Sequence, residues 1–108
     1  MMIQIIEKRP GDKVGRLTWA GNSLKNLQGR VGGNIQALKL TNDVVMLCNE
    51  EGKILGLPEN FRLPWGDPVV GTVILCGAKG DEFADVPIGI DEWREMLKEY
   101  ENMKGERP

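Results

Sequence analysis

The chain has 108 residues, of which 41% are hydrophobic and 28% charged, and a formal net charge of −2. This length suits one domain with one ordinary core, and the composition is typical of soluble globular proteins. No apolar run reaches the roughly 18 residues of a membrane span, and the N-terminus lacks the basic segment and cleavage site of a signal peptide, so we expect a cytoplasmic protein.

Apolar patterning predicts six strands separated by turn-forming residues. They occupy residues 2–8, 14–19, 34–40, 44–48, 53–55 and 69–76. We expect the first two to pair as a hairpin and residues 49–52 to turn the fourth back into the fifth. Gly71 interrupts the last strand and indicates a bulge or a close backbone approach. We expect a proline-bounded loop over residues 61–68 and irregular structure over residues 83–88.

Two segments have helical periodicity. The first covers about residues 23–31, where Ser23 is a candidate N-cap, apolar residues 24, 27 and 31 share a face that should pack on the sheet, and two glycines follow. The second covers about residues 91–103 and begins at Asp91. Its apolar stripe consists of Trp93, Met96, Leu97, Tyr100 and Met103. We expect this stripe to pack on the sheet, and a dimer seam that would make the protein a homo-oligomer is the alternative.

Together these elements predict an α+β fold. We expect a single compact domain over residues 1–104 and a frayed tail over residues 105–108. The domain should contain a mostly antiparallel sheet of five to six strands, with the short helix and the C-terminal helix packed on one face.

The residues available for chemistry are limited. The chain has no histidine, so neither a Ser-His nor a Cys-His nucleophilic system can form, and we expect no enzyme. The two cysteines, Cys48 and Cys76, cannot complete a zinc shell, and we expect no metal and no cofactor. We predict two buried free thiols, with a disulfide between neighbouring strands as the alternative. Glu50 and Glu51 are adjacent in a turn, where glutamates usually face water rather than form an acid–base pair.

Charge is distributed unevenly along the chain. Residues 1–80 hold ten Lys and Arg against seven Asp and Glu, whereas residues 81–108 hold four against nine. A mildly basic body with an acidic C-terminal helix differs from duplex-DNA binders, which concentrate Lys and Arg on one face.

A first candidate anion site lies where the short helix ends. Arg30 stands among glycines, and the backbone N–H groups of Gly32 and Gly33 are a candidate anion nest. The alternative is that the two glycines only stop the helix.

A second set of polar residues surrounds the turn at residues 49–52. Lys53 and Arg62, with Arg30, offer charge-assisted hydrogen bonds to phosphate or carboxylate groups. Asn49 and Asn60 belong to the same predicted ligand-binding set, and the alternative is that their side chains only hold turns.

The three tryptophans have different predicted roles. Trp93 lies on the helical stripe and is expected in the core. Trp19 is either a core residue or a stacking platform. Trp65, between two prolines, is the candidate exposed anchor for a protein partner, because Trp is enriched at interface hot spots.

Several segments match a known pattern. They are residues 23–24, 27–28, 31–37, 48–53, 56–58, 60, 70–72, 76–77 and 81–84. On these residues the chain resembles a family of small proteins from phages, plasmids and gut bacteria, catalogued as a domain of unknown function. The resemblance spans nearly the whole chain and departs at Asn34 and in loop 64–68. It is most specific in the central segment, at Asn49-Glu50-Glu51-Gly52-Lys53 with Gly56-Leu57-Pro58 and Asn60. It implies a phage or mobile-element setting in the cytoplasm of a host cell, and no established activity.

Two functional hypotheses follow. In the first, a non-enzymatic accessory protein sequesters a small anionic, nucleotide-type ligand in a counter-defence role. In the second, the chain is a protein-interaction module or an inhibitor of a host factor, acting through Trp65 or the acidic helix. An enzyme acting through lysine or carboxylates is a third, weaker hypothesis. None of the three involves a membrane or duplex nucleic acid.

Overall fold

The structure is a computed structural model that describes residues 1–105. Its elements are β1 (Met2–Lys8), β2 (Arg16–Gly21), α1 (Leu24–Val31), β3 (Ile35–Lys39), β4 (Val45–Asn49), β5 (Glu59–Arg62), β6 (Pro68–Val70), β7 (Val73–Lys79), β8 (Glu82–Ala84) and α2 (Ile90–Gly105). They confirm the predicted α+β fold, with a short helix and a C-terminal helix. Of the predicted tail, Gly105 ends α2, and residues 106–108 lie outside the described residues.

Six strands form one antiparallel sheet in the order β2-β1-β7-β4-β3, with β8 paired to the end of β7. The β1–β2 pairing confirms the first predicted hairpin. Strand β7 is central, because Leu75 lies opposite Ile6 of β1 and opposite Met46 of β4. Strands β5 and β6 form a separate two-stranded sheet.

The main sheet is apolar on both faces, and the helices cover opposite faces. One buried cluster contains Ile6, Met46, Leu75, Trp93 and Tyr100, and the other contains Ile5, Leu47, Ile74, Leu27 and Val31. The expectation that both helices pack on one face is therefore wrong. Successive side chains of a strand point to opposite faces, so the continuous apolar runs of β1, β4 and β7 give the sheet two faces that must be covered.

Three aromatic rings form the centre of the face covered by α2. Trp93 is fully buried, as predicted, and its Nε1 donates to the carbonyl of Val14 at 2.9 Å. The Phe61 ring meets Trp93 edge-on at 5.5 Å and stacks on Tyr100 at 6.2 Å. Because Phe61 belongs to β5, this cluster ties the small sheet to α2. The buried part of the helical stripe ends at Tyr100, since Met103 is exposed.

Helix α1 begins and ends as its sequence predicts. The side chain of Ser23 accepts a hydrogen bond from the backbone of Asn26, and Gly32 takes the left-handed conformation at the C-cap, with φ of 81°. Leu27 and Val31 are buried, whereas Leu24 is 62% exposed, so the prediction that Leu24 packs on the sheet is wrong.

The second predicted hairpin is absent from the described residues. Residues 53–55 form turns instead of a strand, because backbone bonds from Leu55 to Glu51 and from Leu57 to Gly52 coil the segment. Gly52 is buried inside the coil, where an added Cβ would lie 2.8 Å from Val70 Cγ2.

The predicted strand over residues 69–76 is divided into β6 and β7 at Gly71. This glycine has φ of 74°, its N–H donates to Pro58, and an added Cβ would lie 2.8 Å from Leu57 Cδ1. Two short strands also lie where loops were expected: β5 begins ahead of and enters the segment 61–68, and β8 overlaps the start of 83–88.

The two cysteines are free and lie on opposite faces of the sheet. Cys76 is opposite Val45 in the β4–β7 pairing and belongs to the α1 side, whereas Cys48 packs against the α2-side cluster. A disulfide between them is therefore ruled out as an alternative. Burial raises the pKa of the Cys76 thiol to about 12. Burial also raises the pKa of the Cys48 thiol, and the nearby charge of Lys53 partly offsets this rise.

Candidate anion-binding groove

The seven predicted ligand-binding residues do not converge on one site. Arg30 and Gly32 border a depression of about 290 Å³, Asn49 and Lys53 a groove of about 220 Å³, and Asn60 and Arg62 a groove of about 810 Å³. Gly33 lies beside Asn49, whose Nδ2 would be 3.0 Å from an added Cβ.

The glycines after Arg30 close the helix. The N–H groups of Gly32 and Gly33 both donate to the carbonyl of Gln28, at 2.8 and 3.1 Å. These bonds satisfy the Gln28 carbonyl in the last turn of α1, and they occupy the donors that an anion nest would need.

Asn49 is buried and holds two backbone segments together. Its Nδ2 donates to the carbonyl of Val31 at 3.2 Å, and its Oδ1 accepts from the N–H of Glu51 at 2.8 Å. The side chain thus joins the end of α1 to the turn after β4. Lys53 is exposed at the rim of the adjacent groove.

The largest depression, which we call the Lys8 groove, lies between the turn after β1, strand β5 and helix α2. It has a volume of about 810 Å³. Five basic side chains line it (Lys8, Lys13, Arg62, Arg94 and Lys98), against three acidic ones (Asp12, Glu59 and Glu101). Phe61, Leu97 and Tyr100 supply apolar surface.

Lys8 is the unusual member of this groove, because it is a lysine that is only 4% exposed. Its Nζ donates to Asn60 Oδ1 at 2.6 Å and lies 5.9 Å from the centre of the Phe61 ring. No carboxylate of the described residues lies within ion-pair distance of it. Burial lowers the pKa of Lys8 from its ordinary value of 10.5, and Asp12 offsets part of this effect.

Asn60 positions Lys8 from both ends. While its Oδ1 accepts from the Lys8 ammonium, its Nδ2 donates to the backbone carbonyls of Lys8 and Gly71, at 2.9 and 2.8 Å. An ammonium group has three donors, and the bond to Asn60 uses one of them. Lys8 therefore has donor capacity left to face the groove.

Three other basic side chains of the groove form exposed ion pairs, and Arg62 also donates to the Gly66 carbonyl at 3.1 Å. Arg62 pairs with Glu59 at 3.2 Å, Lys98 pairs with Glu95 at 3.3 Å, and Arg94 pairs with Asp91. All these pairs are well exposed, so each contributes little to stability and can be exchanged for a ligand group.

Next to Lys8 in β1, Glu7 faces the other side of the sheet, where its carboxylate contacts three arginines. Glu7 is 4% exposed, and its carboxylate lies 2.7 Å from Arg30, 2.9 Å from Arg16 and 3.4 Å from Arg9. Arg30 also donates to the carbonyl of Trp19 at 3.0 Å. We call these four charged residues the Glu7 cluster.

Sequence reasoning missed both Glu7 and Lys8. The available signal is that two successive charged residues end a strand whose two faces are otherwise buried. Buried charges cost stability unless they are paired, so such positions are candidates for functional sites.

Trp65 borders a different groove, of about 220 Å³, which we call the Trp65 groove. Its apolar floor includes Leu38, Met46 and Leu63, and its rim includes Trp65 and Ile54. Trp65 is 56% exposed, Ile54 is 85% exposed, and Trp65 Nε1 donates to Asp67 at 3.1 Å.

Among the described residues, no group of three or more Cys, Asp or Glu side chains is placed to hold a metal ion. In residues 1–105, neither helix is long and apolar enough to cross a membrane.

The family model "Domain of unknown function (DUF3846)" matches residues 3–98, and the chain belongs to this family. No curated protein and no solved structure matches the chain.

Proposed function

We propose that this member of the DUF3846 family is a stoichiometric binding protein that holds a small anionic ligand in the Lys8 groove. The observation that carries the proposal is the buried Lys8 ammonium, which has donors left over and no carboxylate partner among the described residues. An anion in the groove would supply the missing counter-charge.

The remaining walls favour a phosphorylated ligand with an organic part. Arg62, Arg94 and Lys98 can exchange their exposed carboxylate partners for phosphate oxygens. Phe61, which is half-buried, offers aromatic surface beside the basic residues. A nucleotide-type ligand combines both features.

The proposed role is to hold this ligand rather than to transform it. The chain has no imidazole, and the Asn60 amide of the groove is bonded to the backbone carbonyls of Lys8 and Gly71. In the phage or mobile-element setting that the family resemblance implies, such binding would lower the free concentration of a host nucleotide signal.

A thermal-shift panel tests this function. The panel contains inorganic phosphate, nucleoside mono- and triphosphates, and cyclic mono- and dinucleotides, at low salt. At about 100-fold the Kd, a true ligand raises the melting temperature by roughly 10 °C or more, because it binds only the native state. The double variant Arg94→Gln/Lys98→Gln should lose most of the shift, whereas Lys79→Gln, an exposed lysine elsewhere, should keep it. A flat response to the whole panel contradicts the proposal.

A second candidate function is docking of a protein partner at the Trp65 groove. It is favoured by three large apolar side chains that are exposed near this groove, Ile54 at 85%, Leu55 at 60% and Trp65 at 56%. In a pull-down from host lysate, Trp65→Ala should lose a specific partner, whereas Leu24→Ala, an exposed apolar residue on α1, should retain it. If both variants recover the partner equally well, Trp65 does not anchor it.

A further inference from the structure

We propose that the Lys8 groove continues around the turn after β1 onto the Glu7 cluster, and that the ligand is a single-stranded oligonucleotide whose phosphates follow this path. This inference rests on the proposed function and names its ligand class. A mononucleotide would use only the first part of the path.

The continuity of the surface is the first argument. A depression of about 340 Å³ is formed by the turn at residues 12–16. It shares Asp12, Lys13 and Val14 with the Lys8 groove, and at its other end it reaches Arg16. Arg16 is in turn bonded to Glu7 at 2.9 Å. A linear ligand can therefore pass from Lys8 to the arginines across one edge of the molecule.

The charge of the Glu7 cluster is the second argument. One carboxylate faces three guanidinium groups, which leaves an excess of two positive charges. A single arginine bonded to both carboxylate oxygens would neutralise the buried charge of Glu7. The burial of Glu7 therefore does not require the other two arginines. Arg9 contacts Glu7 through Nε at 3.4 Å with 58% of its side chain exposed, and Arg16 is 49% exposed. Both retain donors for phosphate oxygens.

An exposed aromatic ring on the Lys8 side of the sheet favours a nucleic acid over a plain chain of phosphates. Trp19 is 54% exposed, and it lies opposite Gln4 in the β1–β2 pairing, so its side chain is on the same face of the sheet as Lys8 and on the face opposite the Glu7 cluster. Bases stack on such rings with little sequence preference, and a basic path with aromatic platforms is the usual means of binding single strands.

The length dependence of binding tests the inference. Fluorescence anisotropy at low salt compares labelled thymidine monophosphate with oligothymidylates of about four, eight and sixteen nucleotides. Affinity should rise roughly tenfold or more from the monomer to the longer strands. The plot of log K against log salt concentration should steepen by about 0.7 for each added phosphate contact.

Arg9→Gln separates this inference from the function on which it rests. It should weaken binding of the longest strand more than binding of the monomer and should reduce the salt slope by about 0.7, whereas Lys79→Gln should change neither. If affinity does not rise with strand length, or if Arg9→Gln leaves the salt slope unchanged, the extended path is wrong. Binding of the monomer would then still support a ligand site in the Lys8 groove. If neither monomer nor strand binds, the single-strand proposal falls, and the thermal-shift panel decides separately whether the groove binds another anion. Inorganic polyphosphate binding as tightly as the strands would overturn the nucleic-acid assignment.

Discussion

At the scale of single residues, the most informative feature is the pair Glu7 and Lys8, which are adjacent in β1 and buried on opposite faces. Glu7 has three arginine partners, whereas no carboxylate of the described residues lies within ion-pair distance of Lys8, on which Asp12 acts at longer range. The first arrangement should stabilise the fold, whereas the second is suited to a ligand that brings its own negative charge.

The contribution of the Glu7 cluster to stability can be measured by substituting Arg30. Arg30→Ala removes the 2.7 Å contact with the buried Glu7 carboxylate and the bond to the Trp19 carbonyl. The free energy of unfolding should fall by about 1.5–3 kcal/mol, because Arg9 and Arg16 compensate only in part. Lys98→Ala, which breaks an exposed pair, should cost no more than about 0.5 kcal/mol. Equal losses in urea denaturation would show that the Glu7 cluster does not stabilise the fold.

The role of Lys8 in binding should appear as a dependence of ligand affinity on pH. Burial lowers the pKa of Lys8 below 10.5, and an anion needs the charged form. Ligand affinity should therefore decline as pH rises through this lowered pKa, while the stability of the free protein gains from Lys8 over the same interval, because the unfolded state then binds more protons than the native state. Burial raises the pKa of Tyr100, with a smaller contribution from Glu99, which moves its titration to higher pH.

The control for this dependence is Lys8→Arg, whose guanidinium stays charged throughout the interval. It should bind with an affinity that is constant with pH. A decline that persists in Lys8→Arg would assign the titration to another group.

At the scale of elements, the site depends on how the segment between β4 and β7 folds. The coil at residues 50–57 places Leu57 against Gly71, and the break at Gly71 presents a carbonyl to Asn60. Asn60 then holds Lys8 at the edge of the groove. The conformation of one glycine is thus linked to the position of the buried ammonium.

Two glycine substitutions should have opposite effects on stability. Gly71→Ala forces a side chain to φ of 74° and to within 2.8 Å of Leu57, and should lower the free energy of unfolding by about 1–3 kcal/mol. Gly29→Ala, inside α1 with open space around it, should raise the free energy of unfolding by about 0.5–1 kcal/mol. Thermal unfolding of both variants measures the difference, and the same sign for both would contradict the assigned role of Gly71.

The elements that sequence predicts well are those whose signals are local. The ends of α1 follow from Ser23 and Gly32, and the buried strands follow from apolar runs. The coil at residues 50–57 was missed because a turn followed by Lys-Ile-Leu has the same pattern as a hairpin, and only the packing of Gly52 against Val70 distinguishes them. The opposite placement of the helices depends on long-range register, which no local pattern encodes.

The candidate site shows the same limit. Asn60 and Arg62 were selected from sequence and do line the Lys8 groove. Lys8 itself was not, because its burial depends on strands and a helix that are distant in sequence. Arg30 was selected as a ligand for an anion, and the structure gives it a buried carboxylate as its first partner.

At the scale of the whole molecule, the Lys8 groove and the Trp65 groove are separate but lie on the same side of the sheet, since both are lined by residues of the buried cluster that contains Trp93. The Lys8 groove is lined mainly by charged side chains, and the Trp65 groove has an apolar floor and an exposed apolar rim. The excess of positive charge around the turn after β1 contrasts with the net negative charge of the chain. We propose that this local excess of positive charge marks the binding surface.

Titration calorimetry of the phosphorylated compound that gives the largest thermal shift, into wild type, Lys8→Gln and Lys79→Gln, tests the Lys8 groove most directly. Circular dichroism establishes that all three are folded. We expect one site per chain in wild type and in Lys79→Gln. Binding to Lys8→Gln should be at least about tenfold weaker, which is a difference of about 1.4 kcal/mol in binding free energy. Equal affinities in all three proteins would contradict this expectation.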